Sequence, residues 1–245
     1  MGTLRTLGAI LALAATSCAA PEKPVPVAED PRLCVIPANM TPAPAYTPPA
    51  DEVVADEPTA FYMLALTWAP EDCRANGADR GYWVQCKTNA FGFVLHGLWP
   101  NGAAKRHPRY CAPAPAISDA TMRKHACMTP STTMLQHEWA AHGTCGWATP
   151  EAYFAQSATL WRALEVPMLT APTMTAGEVR DAFAAANPGV KREGIYIKAV
   201  EDSRLMDVRL CYDLDYRPMA CRGSLGPADD VVLKVTPRPM PGEAR

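Results

Sequence analysis

Short, dense apolar runs separated by polar, proline-broken stretches set the elements expected of this chain. Phe61 to Trp68 is a nearly continuous apolar and aromatic run stopped by Pro70, which predicts a buried strand. A second run, Phe91 to His96, predicts another strand that ends at His96, where Gly97 permits a change of direction. Ser131 or Thr132 is placed to cap a helix carrying Leu135, Glu138, Trp139 and His142, with Gly143 just beyond its end. Further helices are expected at Glu151 to Leu164, after Thr149-Pro150, and at Ala176 to Ala186, ended by Asn187-Pro188-Gly189. Gly194 to Val200, Leu205 to Tyr212 and Val231 to Val235 read as strands. Strands at both ends with helices between them predict an α+β domain, with several helices flanking a central antiparallel or mixed β-sheet.

The N-terminal region follows different rules. Arg5 precedes the apolar run Leu7 to Ala15, which suits a secretory signal and is too short to span a bilayer. Residues 1–17 are therefore expected to be a signal peptide. Ala15-Thr16-Ser17-Cys18 resembles a lipoprotein cleavage site without its usual leucine, so cleavage before Cys18 would leave a lipid-modified cysteine. An ordinary cut just after it, near Ala19 or Ala20, is the other reading. Between residues 18 and 60, repeated prolines alternate with Ala, Glu and Asp, predicting a semi-rigid tether outside the core, with Cys34 as its anchor point. The folded domain is expected over residues 61–245.

Composition narrows the function classes. With 49% hydrophobic and 20% charged residues the chain can bury one core, and a net charge of −2 excludes a broad basic surface for long nucleic acids. Any such ligand has to be gripped in a pocket. Of nine cysteines, eight remain once Cys18 is set aside, enough for four disulfides in an oxidising compartment. There is no CxxC pair of the kind a zinc site favours.

The chemistry concentrates in two segments, His96-Gly97-Leu98-Trp99-Pro100 and His137-Glu138-Trp139-Ala140-Ala141-His142-Gly143-Thr144-Cys145. His137 and His142 are five residues apart, an offset of about 140° on a helix against about 40° for the zinc-protease spacing. On that reasoning they do not converge on an ion, and no metal or other cofactor is expected. Two imidazoles from different elements can instead flank a phosphodiester, one accepting a proton and the other donating one. Trp99 offers a face for stacking a base, and a carboxylate beside them can tune their protonation. His107 and His125 match neither segment and read as surface residues.

Phe93-Val94-Leu95-His96-Gly97-Leu98-Trp99-Pro100 and the His137 to Cys145 segment resemble the two active-site segments of the RNase T2 family. The likeness extends through Leu64-Ala65-Leu66-Thr67-Trp68 and Val208-Arg209-Leu210-Cys211, covering about residues 61–221. What it implies is an endoribonuclease that cuts single-stranded RNA by 2′-OH attack, giving a 2′,3′-cyclic phosphate and then a 3′-phosphate, while DNA survives. His142 would be the base, His96 the acid, His137 a phosphate ligand and Glu138 a modulator. Trp99 would stack on the 5′ base, Thr67 would help hold the 3′ base, and Asn101 stands where some relatives contact a base. Ala141 replaces a lysine usual in relatives, which implies reduced activity; Lys105 and Arg106 are the nearby charges that could compensate. The resemblance also implies the disulfides Cys111-Cys145, Cys73-Cys86 and Cys211-Cys221, leaving Cys34 with Cys127. The expected protein is an exported, periplasmic monomer, with attachment to a membrane if Cys18 carries lipid. A non-catalytic RNA-binding or interaction protein on the same fold, and a secreted zinc hydrolase, are the competing readings.

Overall fold

The computed structural model describes residues 1–2 and 34–238. The expected signal segment and the lipidation call at Cys18 lie outside the described residues.

Among the described residues six strands form one mixed sheet: β1 (Phe61–Trp68), β2 (Phe93–Asn101), β3 (Thr173–Thr175), β4 (Ile195–Val200), β5 (Arg204–Tyr212) and β6 (Val232–Lys234). Their order is β2-β1-β5-β6-β3, with β4 also paired to β5. All these pairings are antiparallel except that of β5 with β6, which meets at Arg204 and Lys234. The helices are α1 (Ala69–Asn76), α2 (Asp119–His125), α3 (Thr132–Ala141), α4 (Pro150–Arg162) and α5 (Ala176–Ala186).

Local chemistry explains where the helices start. The Ser131 and Thr149 side chains accept from Met134 N and Ala152 N, and Thr175 and Glu178 form a reciprocal capping box. The faces so aligned are apolar. Leu135 and Trp139 of α3, Tyr153, Phe154 and Trp161 of α4, and Val179 and Phe183 of α5 join Leu64, Leu66, Leu95, Leu98, Val208 and Leu210 in one core. Burying each such side chain stabilises by roughly 1.5–3 kcal/mol.

The sequence reading of β2 needs correction. The strand does not end at His96; it runs through Gly97 to Asn101. Ala65 faces Gly97 while Leu66 faces Leu95, so His96 is an extra residue with no partner on β1. It is a β-bulge, and its effect shows in the core: Leu95 and Leu98 are both buried there although three residues apart, which an unbroken period of two forbids.

Two further expectations change. From Cys34 onward the proline-rich stretch lies on the domain, and Met40 is buried in the core. Proline removes donors but keeps carbonyls, and Arg123 donates to those of Pro37, Ala38 and Met40. Asn89 exchanges hydrogen bonds with the Val35 backbone, and Val54 forms a β-bridge with Arg109. His125 is not a surface residue: it is 2% exposed and stacks on Phe154, 5.2 Å between centroids, because the α2 to α4 contact covers it. His107 is exposed as expected. Among the described residues the disulfides are Cys34-Cys127, Cys73-Cys86, Cys111-Cys145 and Cys211-Cys221, the first of them the pair left by elimination and the others those the family resemblance implies. No helix among the described residues is long and apolar enough to cross a membrane.

Candidate active site

The bulge in β2 and the end of α3 bring His96, His137, Glu138 and His142 together around one carboxylate. Glu138 is 1% exposed and accepts from the Trp99 indole N–H at 2.8 Å through Oε2. Its Oε1 lies 3.4 Å from His96 Nε2 and 4.0 Å from His137 Nε2. Gly97 makes this approach possible. A Cβ there would lie 2.7 Å from the Glu138 carboxyl carbon and 3.0 Å from the Trp99 indole nitrogen. Gly143, just after the helix, is needed for a similar reason: a Cβ would run into the Trp139 ring and come within 2.9 Å of Tyr153.

Helix α3 stops at Ala141, and His142 sits at its cap with φ −121° and ψ −42° while its N–H still donates to Glu138 O. That change of backbone overturns the spacing argument made above. Donor atoms of His137, Glu138 and His142 all lie within 4.8 Å of one another, so the five-residue interval does not by itself keep them apart.

His96 is held by a relay that the sequence reading missed. The Thr67 hydroxyl donates to Asp207 Oδ1 at 2.9 Å, which commits its only proton. Toward His96 Nδ1, 3.0 Å away, it can then only accept, so Nδ1 carries hydrogen and Nε2 faces Glu138. Asp207 is itself buried and paired with Arg209 at 2.7 Å. Arg209 lies over Trp99 at 4.6 Å and over Tyr196 at 5.2 Å. Trp99 also faces His142, with ring centroids 5.4 Å apart, so the indole both anchors Glu138 and packs between His142 and Arg209. The sequence signal for this relay was available: Asp207 and Arg209 alternate with apolar residues in an otherwise buried strand.

The electrostatics leave the site nearly uncharged near neutrality. Burial pushes Glu138 up to about 8, against the opposing hydrogen bond from Trp99. It holds His96 down to about 4 even though Asp207 pulls the other way, and it lowers His137 and, further, His142. Glu138 Oε1 and His142 Nδ1 are buried without a hydrogen-bond partner. A cavity of about 230 Å³ opens on the Thr67 side of His96, lined also by Asp72, Asn76, Gln85 and Lys198.

The other expected site residues lie apart from this cluster. Asn101 is buried at the end of β2 and donates its side-chain amide to Trp99 O. Arg106 pairs with Asp56 at 2.9 Å in an exposed loop, and Lys105 is exposed. Ala141 is fully buried, and its carbonyl accepts from Tyr110 N. Tyr110 in turn leads to two residues absent from the sequence reading. Tyr46 stacks on its ring at 5.7 Å and meets His137 edge-on at 6.1 Å, and Arg109 lies over its ring at 4.8 Å.

A family model described as the Ribonuclease T2 family matches residues 59–178. A probable ribonuclease of Haemophilus influenzae is 31% identical over 180 residues, covering 69% of this chain and 63% of that protein; the chain therefore spans less than two thirds of that relative. A ribonuclease of Aeromonas hydrophila is 40% identical over 85 residues, 35% of this chain and 37% of that protein. Among solved structures, trichomaglin, an S-like ribonuclease, shares the fold with a TM-score of 0.60 at 18% identity, over 74% of this chain and 98% of that one.

Proposed function

The chain belongs to the RNase T2 family, and from that premise we propose that it is an endoribonuclease cutting single-stranded RNA without a metal. The observation that carries this reading is the convergence of three imidazoles and a buried carboxyl on one cleft, with the two proton-transfer groups on different elements.

In the first step His142, kept unprotonated by burial, takes the proton of a ribose 2′-OH as its oxygen attacks phosphorus. The P–O5′ bond breaks, and the departing oxygen takes the proton from His96 Nε2. Thr67 and Asp207 fix the His96 ring by holding Nδ1–H on the far side. Phosphate binding raises the His96 pKa toward the protonated form the step requires. His137 binds a non-bridging oxygen, and Glu138, neutral at pH 7, donates a hydrogen bond without repelling the phosphate. The product is a 2′,3′-cyclic phosphate, which water opens to a 3′-phosphate with the two histidines exchanging roles. DNA lacks the nucleophile. The cavity beside His96 has the size and polar lining to take the nucleoside on the leaving side, and Trp99 borders the other. Export is supported by the four disulfides; lipid attachment at Cys18 and a monomeric state complete the proposal.

The test is incubation with RNA and its 2′-deoxy counterpart in EDTA. Cleavage of RNA alone with cyclic-phosphate ends, lost in His142→Ala, is expected. Binding without cleavage would favour the non-catalytic reading, and loss of activity on chelation the metal reading.

A further inference from the structure

A pentavalent phosphate gathers negative charge that the buried site described above is poorly equipped to meet, since His96 gives up its proton to the leaving oxygen, burial disfavours the charged forms of His137 and His142, and the carboxyl carries no positive charge. The cations near it are not equivalent. Arg209 is neutralised by Asp207 and enclosed between Trp99 and Tyr196 on the His96 side. Arg106 is paired with Asp56 in solvent.

Arg109 is different. Its backbone is pinned by two hydrogen bonds to Val54, 2.8 and 2.9 Å. Its guanidinium lies 4.8 Å over Tyr110, whose ring meets His137 at 6.2 Å. Its Nη2 donates to the Tyr110 hydroxyl at 3.2 Å and lies 3.5 Å from Glu52 Oε2, a loose pairing, while its buried Nε has no hydrogen-bond partner. Burial lowers His137 and His142 and raises Glu138, and the Arg109 charge adds to the first two shifts and opposes the third. Glu52, Val54 and Tyr46 all belong to residues 34–58, outside the part of the chain matched by the family model.

We propose that Arg109 is a further catalytic residue, its guanidinium contacting the non-bridging oxygens of the scissile phosphate beside His137, with the segment around Glu52 and Val54 holding it in place. The inference rests on the cleavage reading for its rate effect but not for its phosphate contact.

The experiment compares Arg109→Ala, Arg109→Lys and Arg106→Ala in the full chain, with thermal unfolding to confirm folding. Two quantities are measured: kcat on an RNA oligonucleotide, and the Kd for the same sequence carrying 2′-O-methyl groups, which cannot be cleaved. Arg109→Ala is expected to lower kcat about 100-fold and to weaken the uncleavable ligand about tenfold. Arg109→Lys should recover part of both, and added guanidinium ion below denaturing concentration should restore rate to Arg109→Ala. Arg106→Ala, which removes the same charge from the adjoining loop, should leave both unchanged. A folded Arg109→Ala protein with kcat and Kd matching those of Arg106→Ala overturns the proposal. If the unaltered protein binds the 2′-O-methyl RNA through Arg109 but does not cut RNA, the cleavage reading fails and the phosphate contact stands.

Discussion

Replacing Thr67 with valine removes one hydroxyl from the centre of the relay between Asp207 and His96 while keeping the branched shape that β1 packs. Thr67 is 6% exposed, and valine offers neither of its buried partners a hydrogen bond. His96 Nδ1–H then loses its acceptor and Asp207 Oδ1 loses its donor. A hydrogen bond to a charged group contributes about 1.5–3 kcal/mol, and the imidazolium of the proton-donating state is the form that most needs it. Taking about 2 kcal/mol as the loss in the transition state predicts a fall in kcat of about 30-fold. The sign for pH follows: without its acceptor the imidazolium is less favoured, so the acid form is lost at lower pH and the activity profile moves to the acid side. Steady-state kinetics from pH 4 to 8, with unfolding curves at each pH, provide the assay. A raised KM at unchanged kcat would refute the relay and return Thr67 to the base-contacting role suggested by resemblance. An unchanged profile with unchanged kcat would show that His96 needs no partner at Nδ1.

Other outcomes follow from the same geometry. Gly97→Ala is expected to cost about 1–3 kcal/mol of stability through overpacking against Glu138, and to abolish cleavage by displacing that carboxyl; retained activity would mean that the carboxyl is dispensable. In the unaltered protein, kcat/KM should decline as pH rises above about 4, because His96 must be protonated in free enzyme while His142 stays unprotonated; a flat rate between pH 5 and 8 would contradict those roles. For stability, His125 is held down to about 4 by burial, so between pH 6.5 and 4 the unfolded chain binds the proton and the folded one does not. Stability should fall over that window by up to about 3 kcal/mol from this group, and His125→Phe should flatten the slope of Tm against pH; an identical slope would show that the ring is solvated.

Much of this fold was legible because burial writes itself into the sequence. Phe61 to Trp68 and Ala176 to Ala186 appear as read, since an apolar run and an Asn187-Pro188-Gly189 stop are local signals. The four catalytic candidates also converge, because two segments with unusual residues are visible without knowing the fold. The misreadings have a common origin in nonlocal contacts. Gly97 after His96 looks like a turn that ends a strand; the glycine is there for a carboxyl group that approaches from another element. His125 looked polar in its neighbourhood, while Phe154, which covers it, lies on α4. The separation of His137 and His142 by about 140° holds for an unbroken helix, and α3 ends at Ala141, with His142 already out of helical geometry. Arg109 and Tyr46 carry no sequence signal that joins them to the histidines, because the link runs through tertiary packing.

The staple between Cys34 and Cys127 has a practical consequence for anyone preparing this protein. A version trimmed to start at residue 59, where the family match begins, would retain seven cysteines and leave Cys127 as a free thiol beside six that must pair correctly. Its oxidation would then admit exchange among all seven, so refolding yield, rather than activity per folded molecule, would be the first property to suffer. The stretch that reads like a dispensable leader arm sets the parity of the whole oxidative fold.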